Sequence, residues 1–121
     1  MKSTAIRKAH VRDVAPIQKM LGRFAQQGKL LPRSLSELYT NIRDMFVVQD
    51  EESGHVVGCC SLHIIWEDLA EIRSLAVDEG RQGKGYGRRL VEACLEEARE
   101  LGIQRLFTLT YETAFFEHMG F

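Results

Sequence analysis

The stretch Gln82-Gly83-Lys84-Gly85-Tyr86-Gly87 places a glycine at every second position among cations, and it sits inside EGRQGKGYGRRL, residues 79–90, where no acid stands between Glu79 and Glu92. The chemistry of such a stretch lies in its backbone. Glycine admits chain conformations closed to other residues, and a glycine-rich turn that opens a helix presents outward-facing N–H groups, an anion site. The positive end of a helix favours acids, each contributing about 0.3 to 1 kcal/mol. Arg81, Lys84, Arg88 and Arg89 therefore oppose the dipole unless a diphosphate lies beside them. A flexible loop before a solvated helix face would explain single residues, but not glycines at 83, 85 and 87 together with an acid-free first turn. Two other phosphate motifs fail on spacing. Walker A requires Ser or Thr after its GK, whereas Lys84 precedes Gly85, and the dinucleotide fingerprint GxGxxG with its first βαβ unit is not met.

The elements that would carry this loop alternate along the chain. Thr4 to Lys8 reads as a strand, and Val14, Ile17, Leu21 and Phe24 mark one face of a helix stopping near Gly28. Ser34 and Glu37 have capping-box spacing and open a second helix through Leu38 and Ile42. Met45 to Gln49 and Val56 to Trp66 are strands joined by a turn over residues 50–54. Glu71 to Val77 is a strand feeding the glycine-rich loop. After it, Leu90, Val91, Cys94, Leu95, Ala98 and Leu101 form a helix face ended by Gly102, Ile103 to Tyr111 returns as a strand, and TAFFEHMGF is a short helix. The pattern is an α/β or α+β domain with a mixed sheet and helices over its faces.

Composition narrows the function. A chain of 121 residues, 45% hydrophobic and 27% charged, holds one core, so residues 1–121 are expected to form a single domain. Sixteen basic against seventeen acidic residues leave a net charge of −1 and a pI near 6.4. No global basic field speaks for nucleic acid or a membrane surface, so the anion site is local. No apolar run approaches the roughly 20 residues of a membrane span, and MKSTAIRKAH lacks a signal-like stretch. A cytoplasmic location is expected. Cys59, Cys60 and Cys94 are odd in number and lie in apolar segments, which favours buried thiols over disulfides or zinc ligands. No metal is expected.

Gln82 to Gly87 fits Q/R-x-x-G-x-G/A and so resembles the acyl-CoA pyrophosphate motif of the GNAT acetyltransferases. SLAV at residues 74–77, the helix after the loop, the strand LFTLTY and the ending FFEHMGF, similar to FYEKxGF, follow in that family's order over almost the whole chain. Gln27-Gly28, the run LPRSLSEL from Leu31 to Leu38, Gly58-Cys59-Cys60 and Glu71 are similar to short N-acetylglutamate synthase-like members. The resemblance implies a GNAT-like α/β fold with a mostly antiparallel mixed sheet and helices on both faces. It also implies two further strands after the GF, whereas this sequence stops at Phe121; either a further C-terminal part or a partner would complete the sheet, and a homodimer stays open.

The activity implied is transfer of an acetyl group from acetyl-CoA to a small primary amine, with the α-amino group of glutamate as the specific acceptor. By resemblance the diphosphate rests on Gln82, Gly83, Lys84, Gly85, Tyr86, Gly87 and Arg88, and the pantetheine arm lies along Leu75, Ala76 and Val77 like an extra strand. A backbone N–H of that segment would hold the oxyanion. An amine titrating between about 8 and 10 is mostly ammonium and needs a proton acceptor. Resemblance assigns this to Glu71; the alternative is a strand carboxylate paired with Arg73, on the same side by period two. Many relatives protonate the leaving thiolate with the Tyr of FYEKxGF, where this chain has Phe116. Tyr111 is the substitute, with plain packing as its alternative. Arg33, in a loop before a capped helix, suits bidentate binding of a carboxylate; otherwise it is an unpaired surface arginine. His63 and Trp66, in the run HIIWED, would border the acceptor cleft, with a structural strand histidine as the alternative for His63. A different amine acceptor, or a noncatalytic acyl-CoA-binding domain, are the other classes open.

Overall fold

Apolar-rich strands, buried on both faces at their centre, assemble in chain order into one five-stranded sheet, β1 (Ala5–Lys8), β2 (Met45–Gln49), β3 (Val56–Trp66), β4 (Leu69–Val77) and β5 (Arg105–Thr108). The computed structural model describes residues 5–110 and 112–121. Pairing is antiparallel from β1 to β4 and parallel between β4 and β5. A parallel pair needs a long crossover. The helix α3 (Tyr86–Leu101) supplies it, after α1 (Val14–Gln26) and α2 (Leu35–Thr40) and before α4 (Thr113–His118).

The sheet is covered on both faces, as the resemblance implied. Val48, Cys60, Leu62 and Ile72 pack with Leu90, Val91, Cys94 and Phe116 on the α3 and α4 side. Met45, Val47, Cys59 and Ala76 pack with Val14, Ile17, Leu21, Phe24 and Leu38 on the α1 and α2 side. The period of two in β2 decides which residue joins which core.

Local signals behave as the residue types require. Ser34 Oγ accepts from the Glu37 N–H at 3.1 Å and Glu37 Oε1 accepts from the Ser34 N–H at 3.0 Å, a complete capping box. Several boundaries move. The second helix does not reach Ile42: it ends at Thr40, and residues 42–44 tighten into a 3-10 turn in which the Asp44 N–H donates to the Asn41 carbonyl at 2.9 Å. Strand β4 starts at Leu69 rather than Glu71, because Trp66 pairs with Leu69 and leaves Glu67 and Asp68 as the turn. Strand β5 stops at Thr108, since its pairing with β4 ends at Ile72. Leu101 is 58% exposed and does not join the buried helix face; it stands in the last turn, where the chain reverses and the Ile103 N–H reaches back to the Ala98 carbonyl.

Candidate active site

Between Cys59↔Ala76 and Ser61↔Arg73 the register of β3 against β4 gains one residue on β4, a β-bulge that bends the strand. Ser74 sits in it with φ +58, and the Cys59 thiol donates to the Ser74 carbonyl at 3.3 Å. Beyond Ile72↔Thr108 no β5 residue pairs with β4 among the described residues. The two strands part there, and a cavity of about 630 Å³ opens between them, within the size range of small-ligand sites.

Arg73 to Val77 form one wall, Thr108 to Thr110 with Phe115 and Phe116 the other, and Gln82, Gly83, Gly85, Tyr86, Gly87 and Arg88 the mouth. Nine of the ten residues assigned to acetyl-CoA thus line one cavity. Lys84 is outside that lining and exposed. Gly83 and Gly85 have φ +81 and +83, and a Cβ at either would meet nothing within 4 Å. These glycines serve backbone geometry rather than packing, with Gly85 the N-cap of α3. The Gln82 amide donates to the Val77 carbonyl at 3.0 Å and pins the loop to β4. Arg81 pairs with Asp50 at 2.6 Å, which ties the loop to the β2–β3 turn. Burial works against the charge on Asp50, but the Glu52 N–H, the Ser53 hydroxyl and Arg81 outweigh it and hold the carboxyl below its ordinary value. In the cationic first turn Arg88 lies 3.8 Å from Glu92. The strand edge that β5 leaves, the glycine-rich N-terminus of α3 and the flanking cations together fit an elongated ligand carrying a diphosphate.

The acceptor-side residues gather on the α2 face of the sheet. Arg33 lies in a narrow cleft with Glu37, Asn41, Ser61, Arg73 and Ser74. It is not a surface arginine: its side chain is 19% exposed, 3.8 Å from Glu37, and its buried Nε has no hydrogen-bond partner. Arg73 lines both this cleft and the large cavity. Burial first, and then the like charge of Arg33, lower the Arg73 pKa against the opposing pull of Glu71, Asp44 and Glu37. Glu71 stands 3.8 Å from Arg73 but lines neither opening. It lies opposite His63 across the β3–β4 pair, and His63 Nδ1 lies 2.8 Å from Asp44 Oδ2.

Other expectations land elsewhere. Trp66 is 72% exposed at the β3–β4 hairpin and does not line the cavity. Tyr111 lies outside the described residues. Phe116 is buried, with its ring edge-on to Phe115 and Phe121 at 5.1 and 5.3 Å. Arg73 was legible only as a companion of Glu71, because the bulge that turns it toward the cavity leaves no signal in residue type.

Residues 17–121 match the model of the acetyltransferase (GNAT) family. The chain belongs to that family. Over 118 residues it is 42% identical to the amino-acid acetyltransferase of Mycobacterium tuberculosis (strain ATCC 25618 / H37Rv), covering 96% of this chain and 67% of the relative. A crystal structure of a Mycobacterium tuberculosis protein in complex with CoA and NLQ superposes with a TM-score of 0.90 at 39% identity, covering 96% of this chain and 70% of that one. The N-acetylglutamate synthase of Neisseria gonorrhoeae, complexed with coenzyme A and N-acetyl-glutamate, superposes with a TM-score of 0.89 at 32% identity; 99% of this chain spans 28% of it. As a GNAT acetyltransferase the protein uses acetyl-CoA as cosubstrate. Among the described residues no helix is long and apolar enough to cross a membrane, and no group of three or more His, Cys, Asp or Glu is placed to hold a metal ion.

Proposed function

We propose that residues 1–121 act as one domain that moves an acetyl group from acetyl-CoA to the α-amino group of a carboxylate-bearing amino acid, with glutamate as the acceptor. The observation that carries this reading is the pair Arg33 and Arg73. Two guanidinium groups share one cleft, their acidic neighbours Glu37 and Glu71 stand off at 3.8 Å, and the buried Arg33 Nε has no partner. An unmet buried donor is unfavourable. A substrate carboxylate supplies the missing acceptor and separates the like charges. Since Arg73 also lines the acetyl-CoA cavity, an acid held there has its amine near the thioester. The names of the relatives, an amino-acid acetyltransferase and an N-acetylglutamate synthase, support the same acceptor.

In this reading the amides of residues 83–88 hold the diphosphate, Gln82, Lys84 and Arg88 flank it, and the free edge from Leu75 to Val77 receives the pantetheine arm. An N–H of that edge stabilises the oxyanion. Glu71, set back behind Arg73, takes the ammonium proton through water. The amine nitrogen then bonds to the thioester carbon, and as the carbon–sulfur bond breaks it gives up its second proton; Tyr111 protonates the leaving thiolate and is restored by that proton, so one net proton leaves through Glu71.

Thiol release from acetyl-CoA across a panel of amino acids tests the reading. Glutamate is expected to exceed glutamine, and Arg33→Ala to raise the Michaelis constant for glutamate roughly tenfold to a hundredfold, equivalent to a charge-assisted bond of about 1.5 to 3 kcal/mol, while acetyl-CoA affinity holds. Equal turnover of glutamine and glutamate would remove the glutamate assignment.

A further inference from the structure

We infer that the Asp44–His63 pair is a proton outlet for Glu71, returning the carboxylate to its charged form after each acetyl transfer. The inference rests on Glu71 as the base and adds two residues to it. Directly opposed residues of an antiparallel pair share a face, with Cβ atoms about 4.5 to 5.5 Å apart. His63 and Glu71 are opposed in this way, so the two side chains leave the same face of the sheet, within reach of one bridging water. His63 Nδ1 is 2.8 Å from Asp44 Oδ2. An ionised carboxylate can only accept, so Nδ1 carries the hydrogen and Nε2 is the basic nitrogen. Both side chains of the pair are partly exposed, 28% for His63 and 24% for Asp44, which leaves the imidazole in touch with solvent.

The charged groups facing His63 are Asp44 from the 3-10 turn and Glu71 with its neighbour Arg73 from β4. Asp44 and Glu71 thus bring two carboxylates to the same face as the imidazole, and Arg73 lies 3.8 Å from Glu71. The step balances. Acetylation of an ammonium acceptor releases one net proton; Glu71 takes it through water, passes it through a bridging water to His63 Nε2, and the imidazolium gives it to solvent.

The test uses His63→Gln, His63→Ala and Asp44→Asn with glutamate as acceptor. His63→Gln is expected to lower kcat at least tenfold with unchanged acetyl-CoA affinity by calorimetry and unchanged Tm. Imidazole in the buffer is expected to restore part of the His63→Ala rate, and Asp44→Asn to shift the acidic limb of the kcat–pH profile. A structural histidine would give neither rescue nor a shifted limb. If Glu71→Gln is inactive while His63→Gln matches wild type, the outlet is wrong and the base assignment stands. If Glu71→Gln keeps its rate, the base assignment falls and the outlet with it.

Discussion

The thiol of Cys59 donates to the carbonyl of Ser74 at 3.3 Å, joining a fully buried strand residue to the residue of the β4 bulge that holds φ +58. A left-handed conformation is disfavoured for a residue with a side chain, by about 1 to 2 kcal/mol, and persists where its surroundings hold it. The bulge lies where β4 and β5 part and the cavity opens between them. The contact therefore joins a core cysteine to the wall of that cavity.

That burial has a chemical consequence. It pushes the Cys59 thiol up to about 12, and a hydrogen bond with Cys94 together with burial raises Cys60 well above the ordinary thiol value. The thiolate is the reactive form. Native protein at pH 8 is expected to resist iodoacetamide at Cys59 and Cys60 for as long as it stays folded, and to label at all three cysteines in guanidinium. Rapid labelling of Cys59 in the native state, read by mass spectrometry, would contradict this.

Gly85 separates backbone strain from ligand space. A Cβ there meets nothing within 4 Å, but φ is +83, so Gly85→Ala is expected to destabilise the fold by about 1 to 2 kcal/mol. Gly85→Glu adds a negative charge at the mouth lined by residues 82–88. It is expected to abolish acetyl-CoA binding in a protein that still unfolds cooperatively. Unchanged affinity in calorimetry would remove the diphosphate from this loop.

Glu71→Gln keeps the shape of the side chain and removes proton acceptance. Loss of a general base typically lowers kcat by 10² to 10⁴, and the defect should shrink as rising pH supplies free amine. Acetyl-CoA affinity should stay near wild type. A kcat–pH profile that overlays wild type would leave Glu71 as the ion-pair partner of Arg73 alone.

Asp13 offers a stability test away from the site. Burial disfavours its charge, yet Arg7, bonded to both carboxylate oxygens at 2.7 and 3.1 Å, and the His10 N–H at 2.6 Å prevail and lower its pKa from 3.8. A depressed folded value means the contribution is complete above the unfolded pKa near 3.9 and is lost as pH falls through the folded one. Asp13→Asn is expected to be less stable than wild type at pH 7, with the gap narrowing below about pH 4. Denaturant titrations at pH 7, 4 and 2.5 would read it, and a gap that stays constant would refute it.

Sequence by itself determined what depends on residue type and spacing. The β-rich runs Met45–Gln49 and Val56–Trp66, the 3.6-residue face from Val14 to Phe24, the Ser34–Glu37 box and the glycines of QGKGYG are local signals, and the structure carries each of them in place. The same locality makes the loop proposed for the diphosphate visible in sequence, because an anion site made of backbone amides needs one contiguous segment. Tertiary structure alone decided the rest. Nothing in EIRSLAV marks Ser74 as the bulge, since the extra residue exists only in the register against β3. Nor does spacing disclose that Arg33 and Arg73, forty positions apart, share one cleft, or that Asp44 meets His63 beside Glu71. Such contacts depend on how α2 and its 3-10 turn dock on the sheet, and long-range packing leaves no period in the chain that a reader could detect.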